Sequence, residues 1–199
     1  MVYNSRMARP REFDRTEVLQ KAVGVFWEKG YAATSTGDLL GAMNIGRQSM
    51  YDTFGDKRAL YLEALQYYIS DSIGGQLRNL QSGLPLEAVS NMLLAFTAWD
   101  ETQRGLGCMG VNALGEFGCN DPDIAQIQQT GTRLLLDALE TKLGEAAARG
   151  DIAAGVDIRA AARFIMSTLI GMKISARGGA SDDELRSIAR FAVNSLKVA

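Results

Sequence analysis

Apolar residues recur along this chain at intervals of three and four positions, which is the spacing of amphipathic helices. The first such segment follows Asp14, a favourable N-cap residue, and Glu17 lies three positions later, as in a capping box. Its apolar face consists of Val18, Leu19, Ala22, Val23 and Phe26. Glycine commonly ends a helix, so the pattern predicts a first helix that stops at Gly30.

The next stretch predicts two short helices followed by a long one. The second helix starts after the capping residues 34–36 and ends at Asn44, which tolerates a left-handed backbone. The third covers residues 47–54, and Asp56 caps a fourth that extends to about Leu80. A short helix, a tight turn and another short helix form the pattern of a helix-turn-helix.

Glycine and proline divide the remainder of the chain into further helical segments. We expect Gly74 and Gly75 to loosen or kink the fourth helix, and Pro85 to occupy the first turn of a fifth. The last five predicted helices cover residues 85–102, 108–117, 121–150, 157–176 and 182–197. No segment shows the alternation of a half-buried strand. The chain is therefore predicted to be all-α, with nine helices.

Composition and charge narrow the classes of function. The chain has 199 residues, of which 47% are hydrophobic and 22% charged, so it can bury a sizeable core. Histidine is absent, which excludes Ser-His-Asp and Cys-His catalysis and His-ligated zinc. Residues 1–60 carry nine Lys or Arg against seven Asp or Glu, whereas residues 61–199 carry twelve against sixteen. This distribution fits a module that contacts polyanions with one end.

The two cysteines favour a reducing compartment. Cys108 and Cys119 would lie about 16 Å apart on one helix, beyond disulfide reach. The N-terminus has no apolar leader and no apolar run could span a bilayer, so we expect a cytoplasmic protein. Cys108 beside Met109 raises the alternative of a thiol or soft-metal sensor. Adjacent helical positions point in different directions, so we expect no metal site, and no cofactor is expected.

The second and third helices present two different faces. Leu39, Met43, Ile45 and Met50 are predicted to face inward. The outward positions are Arg47, Gln48, Ser49, Tyr51 and Asp52. Such a helix fits the major groove, where Arg and Gln read guanine and adenine edges. From the residues alone, a solvated face of an ordinary helical bundle remains the alternative.

Residues 12–62 resemble the DNA-binding domain of the TetR family of bacterial transcription regulators. The matching positions are Phe26, Gly30, Tyr31, Thr34, Leu39, Ile45, Ser49, Met50, Tyr51, Phe54, Lys57 and Leu60. Two positions depart from the family pattern, since Asn44 replaces a turn glycine and Leu40 replaces a small residue. The resemblance implies a basic N-terminal arm over residues 1–12, a helix-turn-helix domain over 13–58, and an effector-binding and dimerisation domain over 59–199.

The resemblance also implies a homodimer that places two recognition helices in successive major grooves of a palindromic operator, with half-sites about 34–36 Å apart. Arg47, Gln48 and Ser49 are the candidates for base readout. Contacts to DNA phosphates are assigned to Thr34, Ser35, Thr36, Tyr51 and Lys57. The arm would follow the backbone or a minor groove through Arg6, Arg9 and Arg11.

In this family, helices four to seven enclose an effector pocket and helices eight and nine form an intersubunit four-helix bundle. The pocket residues that we expect to bind a small, largely apolar effector are Met92, Phe96, Trp99, Cys108, Met109, Asn112, Glu116 and Phe117. The predicted dimer residues are Phe164, Thr168, Gly171, Met172, Leu185, Ile188, Ala192 and Ser195. Plain core packing is the alternative for the apolar members of both sets.

Taken together, these features predict a ligand-responsive transcriptional regulator, most simply a repressor released from DNA by its effector. The first alternative is an enzyme, but the acidic clusters at 100–101 and 182–184 are typical of solvated helix ends. The second alternative is a helical dimer that binds a small molecule or a protein without specific DNA binding. The exposed polar face of the third helix favours DNA over both.

Overall fold

The computed structural model describes residues 13–118 and 120–198, and within them the chain is helical throughout. The ten α-helices are α1 (Arg15–Ala33), α2 (Thr36–Met43), α3 (Arg47–Phe54), α4 (Lys57–Leu80), α5 (Pro85–Leu94), α6 (Glu101–Leu106), α7 (Met109–Phe117), α8 (Pro122–Ala148), α9 (Ile158–Arg177) and α10 (Asp182–Asn194). An isolated antiparallel bridge joins Ile152 to Lys197. The prediction of an all-α fold is confirmed. The predicted arm over residues 1–12, with its three arginines, and Cys119 lie outside the described residues.

The predicted fifth helix is interrupted. α5 ends at Leu94 and continues as a 3-10 turn over Ala95–Ala98, after which Trp99 adopts an extended conformation. The side chain of Asp100 then accepts a hydrogen bond from the backbone N–H of Gln103 at 2.8 Å and starts α6 as a new helix. If this interrupted stretch is counted as one segment, the described residues form the nine helical segments that were predicted.

The predicted interruption at Gly30 and the predicted loosening at Gly74 and Gly75 have different outcomes. Gly30 has φ 75° and ψ 174°, so it breaks the helical path of α1, and residues 31–33 form a separate final turn. A residue with a Cβ atom would be strained at this φ value. By contrast, α4 passes through Gly74 and Gly75 without a break, so the predicted loosening there is wrong. Packing of α4 against α1, α5 and α8 supports the helix across this pair.

Most of the positions predicted to face inward in the helix-turn-helix are buried. Leu39, Met43 and Met50 are at most 1% exposed, and Ile45 is half-buried. The turn between α2 and α3 contains Asn44 in a left-handed conformation with φ 53°, as its amide side chain allows. We call α1–α3 the head.

The helix α4 joins the head to the rest of the molecule. Its first half packs Leu60 and Leu65 into the apolar core of the head. Its end packs Leu80 into a second core formed mainly by α5, α8, α9 and α10. We call α5–α10 the body, so α4 belongs to both cores, and a movement of α4 would act on both units. None of the helices in the described part of the chain is long and apolar enough to cross a membrane.

The packing of α4 against α8 predicts opposite effects for two glycine substitutions. A Cβ atom at Gly131 would lie 2.7 Å from Ile69 Cγ2, whereas a Cβ atom at Gly144 on the same helix would meet nothing within 4 Å. We expect Gly131→Ala to lower the free energy of unfolding by about 1 kcal/mol, because overpacking outweighs the gain in helix propensity. Chemical denaturation measures the change.

The matched control is Gly144→Ala, which we expect to raise the free energy of unfolding by about 0.5–1 kcal/mol. Equal stabilisation by both substitutions would contradict the close approach of α4 and α8 at Gly131.

Candidate functional site

The helix α3 projects from the head with an uncapped N-terminus. Gly46 is the N-cap and provides no side-chain hydrogen bond. The first backbone N–H groups of the helix, starting at Arg47, therefore have no acceptor among the described residues. Met50 and Phe54 anchor the opposite face of the helix, with 0% and 6% exposure. Free N–H groups at a helix N-terminus are suited to a phosphate oxygen.

The three predicted base-reading residues lie on the outer face of α3. Arg47 and Gln48 are exposed and Ser49 is half-buried. The side-chain amide of Gln48 donates a hydrogen bond to Asp52 Oδ1 at 2.7 Å, one turn along the same helix. A contact from Gln48 Nε2 to a base edge would have to replace or share this bond, which is solvent-exposed and therefore weak.

The three predicted phosphate donors around the start of α2 differ in availability. Thr34 is only 2% exposed and its hydroxyl donates to Gly30 O at 2.6 Å, which does not fit the role of an exposed donor. Ser35 is engaged in a capping box, where its hydroxyl donates to Asp38 Oδ2 at 2.6 Å and accepts from Asp38 N at 3.1 Å. The Thr36 hydroxyl is half-buried and has no partner within the described part of the chain.

An ion pair between Lys29 and Asp38 keeps the carboxylate that caps α2 in its charged form. Lys29 Nζ lies 2.6 Å from Asp38 Oδ1. The hydrogen bond from Lys29, followed by those from Ser35, holds the pKa of the Asp38 carboxyl well below its usual range. The start of α2 is therefore occupied by its own anionic cap, which leaves the start of α3 as the better place for a phosphate.

The remaining two predicted phosphate contacts flank α3. Tyr51 is 42% exposed on the outer surface. Lys57 is half-buried, and its ammonium lies 4.3 Å from the ring centroid of Tyr31. That ring packs in turn against Tyr61 and Phe117, with centroids 5.0 and 5.6 Å away. A cation–π contact thus holds Lys57 at the junction between head and body.

Two groups of contacts with carboxylates fasten the head and the start of α4 to the body. Glu116 on α7 accepts hydrogen bonds from the backbone N–H groups of Tyr31 at 3.0 Å and Ala32 at 2.6 Å, immediately after the break at Gly30. Arg58 at the start of α4 donates to Asp121 Oδ1 at 2.8 Å and Asp123 Oδ2 at 2.9 Å. The Arg58 guanidinium lowers the pKa of the Asp121 carboxyl, so this pair stays charged at neutral pH.

A cleft between head and body has a volume of about 790 Å³. We call it the interdomain cleft. Its walls are the end of α1, most of α7 and the last turns of α9. The lining residues are Trp27, Glu28, Lys29, Gly30, Ala32, Ala33, Gly107, Cys108, Val111, Asn112, Leu114, Gly115, Glu116, Ile170, Lys173, Ile174 and Arg177.

Three of the predicted pocket residues line this cleft, namely Cys108, Asn112 and Glu116. The others do not. Met92, Phe96 and Met109 are 0%, 4% and 2% exposed within the two cores, Trp99 packs edge-on against Trp27, and Phe117 belongs to the aromatic group around Tyr31. Their apolar spacing reflected core packing, because helical periodicity does not distinguish a pocket wall from a core.

The cleft also contains residues that the sequence did not indicate. Lys173 on α9 is only 7% exposed, and its ammonium lies 3.9 Å from Cys108 Sγ. Arg177, one turn later, donates to Asn112 Oδ1 at 2.6 Å. The indole N–H of Trp27 donates to Gly107 O at 3.0 Å. The sequence signal that could have revealed this part of the cleft was Lys173, a charged residue within the apolar stripe of the predicted eighth helix.

The predicted dimer residues fall into two groups. Met172, Leu185 and Ala192 are at most 2% exposed and belong to the core of the body, so their assignment to an intersubunit surface was wrong. Phe164 and Ile188 are 42% and 39% exposed. Gly171 is exposed, as is Ser195, and Thr168 is half-buried.

An exposed apolar residue was missed on this face. Phe191 on α10 is 75% exposed and lies three positions after Ile188, so both share one side of the helix. We call Phe164, Gly171, Ile188, Phe191 and Ser195 the outer face of α9 and α10. The spacing of Phe191 was visible in the sequence, but its exposure depends on which side of α10 packs inward.

Comparison with known proteins assigns the family. The family model described as bacterial regulatory proteins, tetR family, matches residues 18–64, and a tetracyclin repressor-like C-terminal domain matches residues 85–192. The chain belongs to the TetR family of bacterial transcriptional regulators. The TetR-family chain is therefore a DNA-binding helix-turn-helix regulator and not an enzyme.

Several relatives extend over almost the whole length of this TetR-family chain. The HTH-type transcriptional regulator YezE of Bacillus subtilis is 32% identical over 183 residues, covering 90% of this chain and 94% of its own. The HTH-type transcriptional repressor ComR of Escherichia coli is 32% identical over 190 residues, covering 91% and 88%. A cysteine mutant of the TetR-family regulator CifR, solved with a 26 bp operator duplex, has 27% identity and a TM-score of 0.78, covering 94% and 99%.

The contact of Glu116 with the head predicts a local effect on exchange. We expect Glu116→Ala to speed amide hydrogen exchange at Tyr31 and Ala32 by about tenfold, since both N–H groups lose their acceptor. The global free energy of unfolding should fall by about 1 kcal/mol or less, because the carboxylate is exposed. Exchange followed by NMR or mass spectrometry measures the change.

The control is Asp137→Ala, which removes an exposed carboxylate from α8 that has no side-chain partner in the described residues. It should leave exchange at Tyr31 and Ala32 unchanged. Unaltered exchange in the Glu116 variant would show that the contact does not protect these amides.

Proposed function

We propose that this TetR-family regulator is a homodimeric repressor that binds a palindromic operator through α3 and releases it when an effector occupies the interdomain cleft. The observation that carries the proposal is the geometry of α3. Arg47 and Gln48 stand on the exposed face of a short helix, while Met50 and Phe54 fix the other face in the head core. Likeness to CifR, which was solved with operator DNA, supports the same use of this helix.

The contacts with DNA divide into readout and positioning. Arg47 presents a guanidinium that can contact guanine O6 and N7, and Gln48 presents an amide suited to adenine. The phosphate contacts are the uncapped N-terminus of α3 and the side chains of Thr36, Tyr51 and Lys57. Thr34 and Ser35 contribute by shaping the loop before α2 rather than through free hydroxyl groups.

A dimer supplies the two-fold symmetry that a palindromic operator needs. The outer face of α9 and α10 exposes Phe164, Ile188 and Phe191, around the small residue Gly171. Small residues permit close helix approach, and large apolar residues supply the buried area. In the proposed dimer this face packs against its copy as a four-helix bundle, and the operator half-sites are expected about 34–36 Å apart, or a multiple of that spacing.

Release follows from the position of the cleft. One wall belongs to the head and the other to α7 and α9, so a ligand between them contacts both units. The ligand shifts the equilibrium only if it binds the DNA-incompetent arrangement more tightly. When the head tilts about the start of α4 at Lys57, the two recognition helices no longer fit into successive major grooves.

Operator binding tests the proposal with Arg47→Ala. Loss of a bidentate base contact should weaken binding to DNA from upstream of the protein's own gene by about tenfold or more, and should leave affinity for random duplex nearly unchanged. Fluorescence anisotropy at several salt concentrations measures both affinities. Lys57→Met should instead weaken both kinds of DNA and reduce the salt slope by about one.

Arg78→Ala is the matched control, because Arg78 is exposed at the end of α4, away from the head. It should bind operator like the unchanged protein. Operator candidates can also be selected from the whole genome. If the unchanged protein binds them no more tightly than random duplex, the result would favour a helical dimer without specific DNA binding.

The dimer is tested with Phe191→Glu. A buried carboxylate without a partner at the intersubunit surface should convert the dimer to monomer at micromolar concentration. Sedimentation velocity measures the mass, and operator affinity should fall with it. Leu84→Glu is the control, since Leu84 is 50% exposed at the start of α5. A monomer for the unchanged protein would contradict the proposal.

A further inference from the structure

The charged side chains of the interdomain cleft are not balanced by one another. Its lining includes the carboxylates Glu28 and Glu116 and the cations Lys29, Lys173 and Arg177. Glu116 is engaged with two backbone N–H groups, and Lys29 is paired with Asp38. Neither Lys173 nor Arg177 forms an ion pair with a carboxylate in the described part of the chain, whereas Glu28 lies on the opposite, head wall. The α9 wall therefore carries two cations without counter-charges.

Of these two cations, Lys173 is the stronger evidence for an anionic ligand because it is buried. Its side chain is 93% removed from solvent, and the contact found for its ammonium is Cys108 Sγ at 3.9 Å. A thiol is a weak acceptor. Burial raises the pKa of the Tyr68 phenol, which lies beside Cys108, so that group remains neutral and supplies no negative charge. A buried ammonium without an anion is costly, and an anionic ligand would remove that cost.

The apolar surface beside these cations is arranged to accept the rest of such a ligand. On α9, Ile170 and Ile174 alternate with Lys173 and Arg177 along the stripe that lines the cleft. Trp27 contributes an aromatic wall from the head. The volume of about 790 Å³ lies within the usual range of small-molecule sites, about 300–1,000 Å³. Apolar walls beside two cations on one helix fit an amphipathic anion.

We propose that the effector of this regulator is a small organic anion, a carboxylate or sulfonate with an apolar body, held in the interdomain cleft by Lys173 and Arg177. This inference rests on the proposed release by an effector and names its chemical class. The anionic group pairs with the two cations of α9, and the apolar body lies against Ile170, Ile174 and Trp27.

The same site explains how binding would reach the head. Glu116 lines the cleft and holds the backbone of Tyr31 and Ala32 through its charged carboxylate. An anion in this cleft repels that carboxylate, and its body stands between α9 and the end of α1. Both effects weaken the contact that fixes the head, so ligand binding and operator binding oppose each other.

The test uses 8-anilinonaphthalene-1-sulfonate as an anionic probe and N-phenyl-1-naphthylamine as its neutral counterpart without the sulfonate. The chain has two tryptophans, Trp27 and Trp99, whose rings lie 5.9 Å apart beside the cleft, so quenching of their fluorescence reports binding there. We expect Lys173→Met to weaken the sulfonate about tenfold or more and the neutral probe less than twofold. Octanoate should compete with the sulfonate, whereas octanol and octylamine should not.

Four further variants separate the effect of charge from effects on folding and from the thiol. Lys173→Arg should retain the affinity for the sulfonate within about threefold, and Arg177→Gln, at an exposed position, should weaken it about threefold. Arg78→Gln, outside the cleft, should leave it unchanged, and Cys108→Ser, which keeps a neutral group beside Lys173, should change it less than threefold. Sulfonate affinity that is independent of Lys173 and Arg177, or a parallel loss for the neutral probe, would overturn the inference. So would dependence on Cys108 alone.

The binding assay contains no DNA, so its outcome is independent of operator recognition. Saturating sulfonate should then lower operator affinity about tenfold in the unchanged protein and have no effect in Lys173→Met. Binding that depends on Lys173 but does not change operator affinity would overturn the assignment of the anion as effector while leaving the site. Failure to bind operator in any condition would overturn the proposed function and leave the probe result intact.

Discussion

The carboxylate of Glu116 accepts hydrogen bonds from two backbone N–H groups just after the break at Gly30, and this contact determines where the head lies against α7. Gly30 makes the contact possible, because its backbone conformation turns the chain and a Cβ atom there would lie 3.2 Å from Glu116 Oε2. The residues that follow lead directly into α2 and the recognition helix. The position of α3 relative to the body therefore depends on a carboxylate of α7.

The second connection between the two units is α4, whose first half belongs to the head core and whose end belongs to the body core. Arg58 fastens the start of this helix to Asp121 and Asp123 at the start of α8. The Glu116 contact lies at the interdomain cleft, and α4 begins at the pivot of the head. A change in the cleft can therefore be transmitted to the head without disrupting either core. This arrangement suits a regulator whose head must adopt two orientations.

The cleft and the DNA-binding surface use charge in different ways. On α3 the polar groups are solvent-exposed, so each contact contributes modestly and many act together. In the cleft, Lys173 is withdrawn from water, so a single counter-charge has a large effect on binding. The recognition surface can therefore tolerate the solvent-exposed bond between Gln48 and Asp52, whereas the buried cation would make the cleft selective for the charge of the proposed ligand.

The sequence by itself determined the local features: the order of the helices, the caps at Asp14 and Asp56, the break at Gly30, and the polar face of α3. These follow from periodicity and from groups a few residues apart, while the assignment to a family followed from the motif around α3. The tertiary structure decided the rest. Glu116 meets Tyr31 across 85 positions, and Lys173 meets Cys108 across 65. Met92 and Met172 have the spacing of functional stripes but lie in a core, because helical periodicity gives a face and not the surface that it meets.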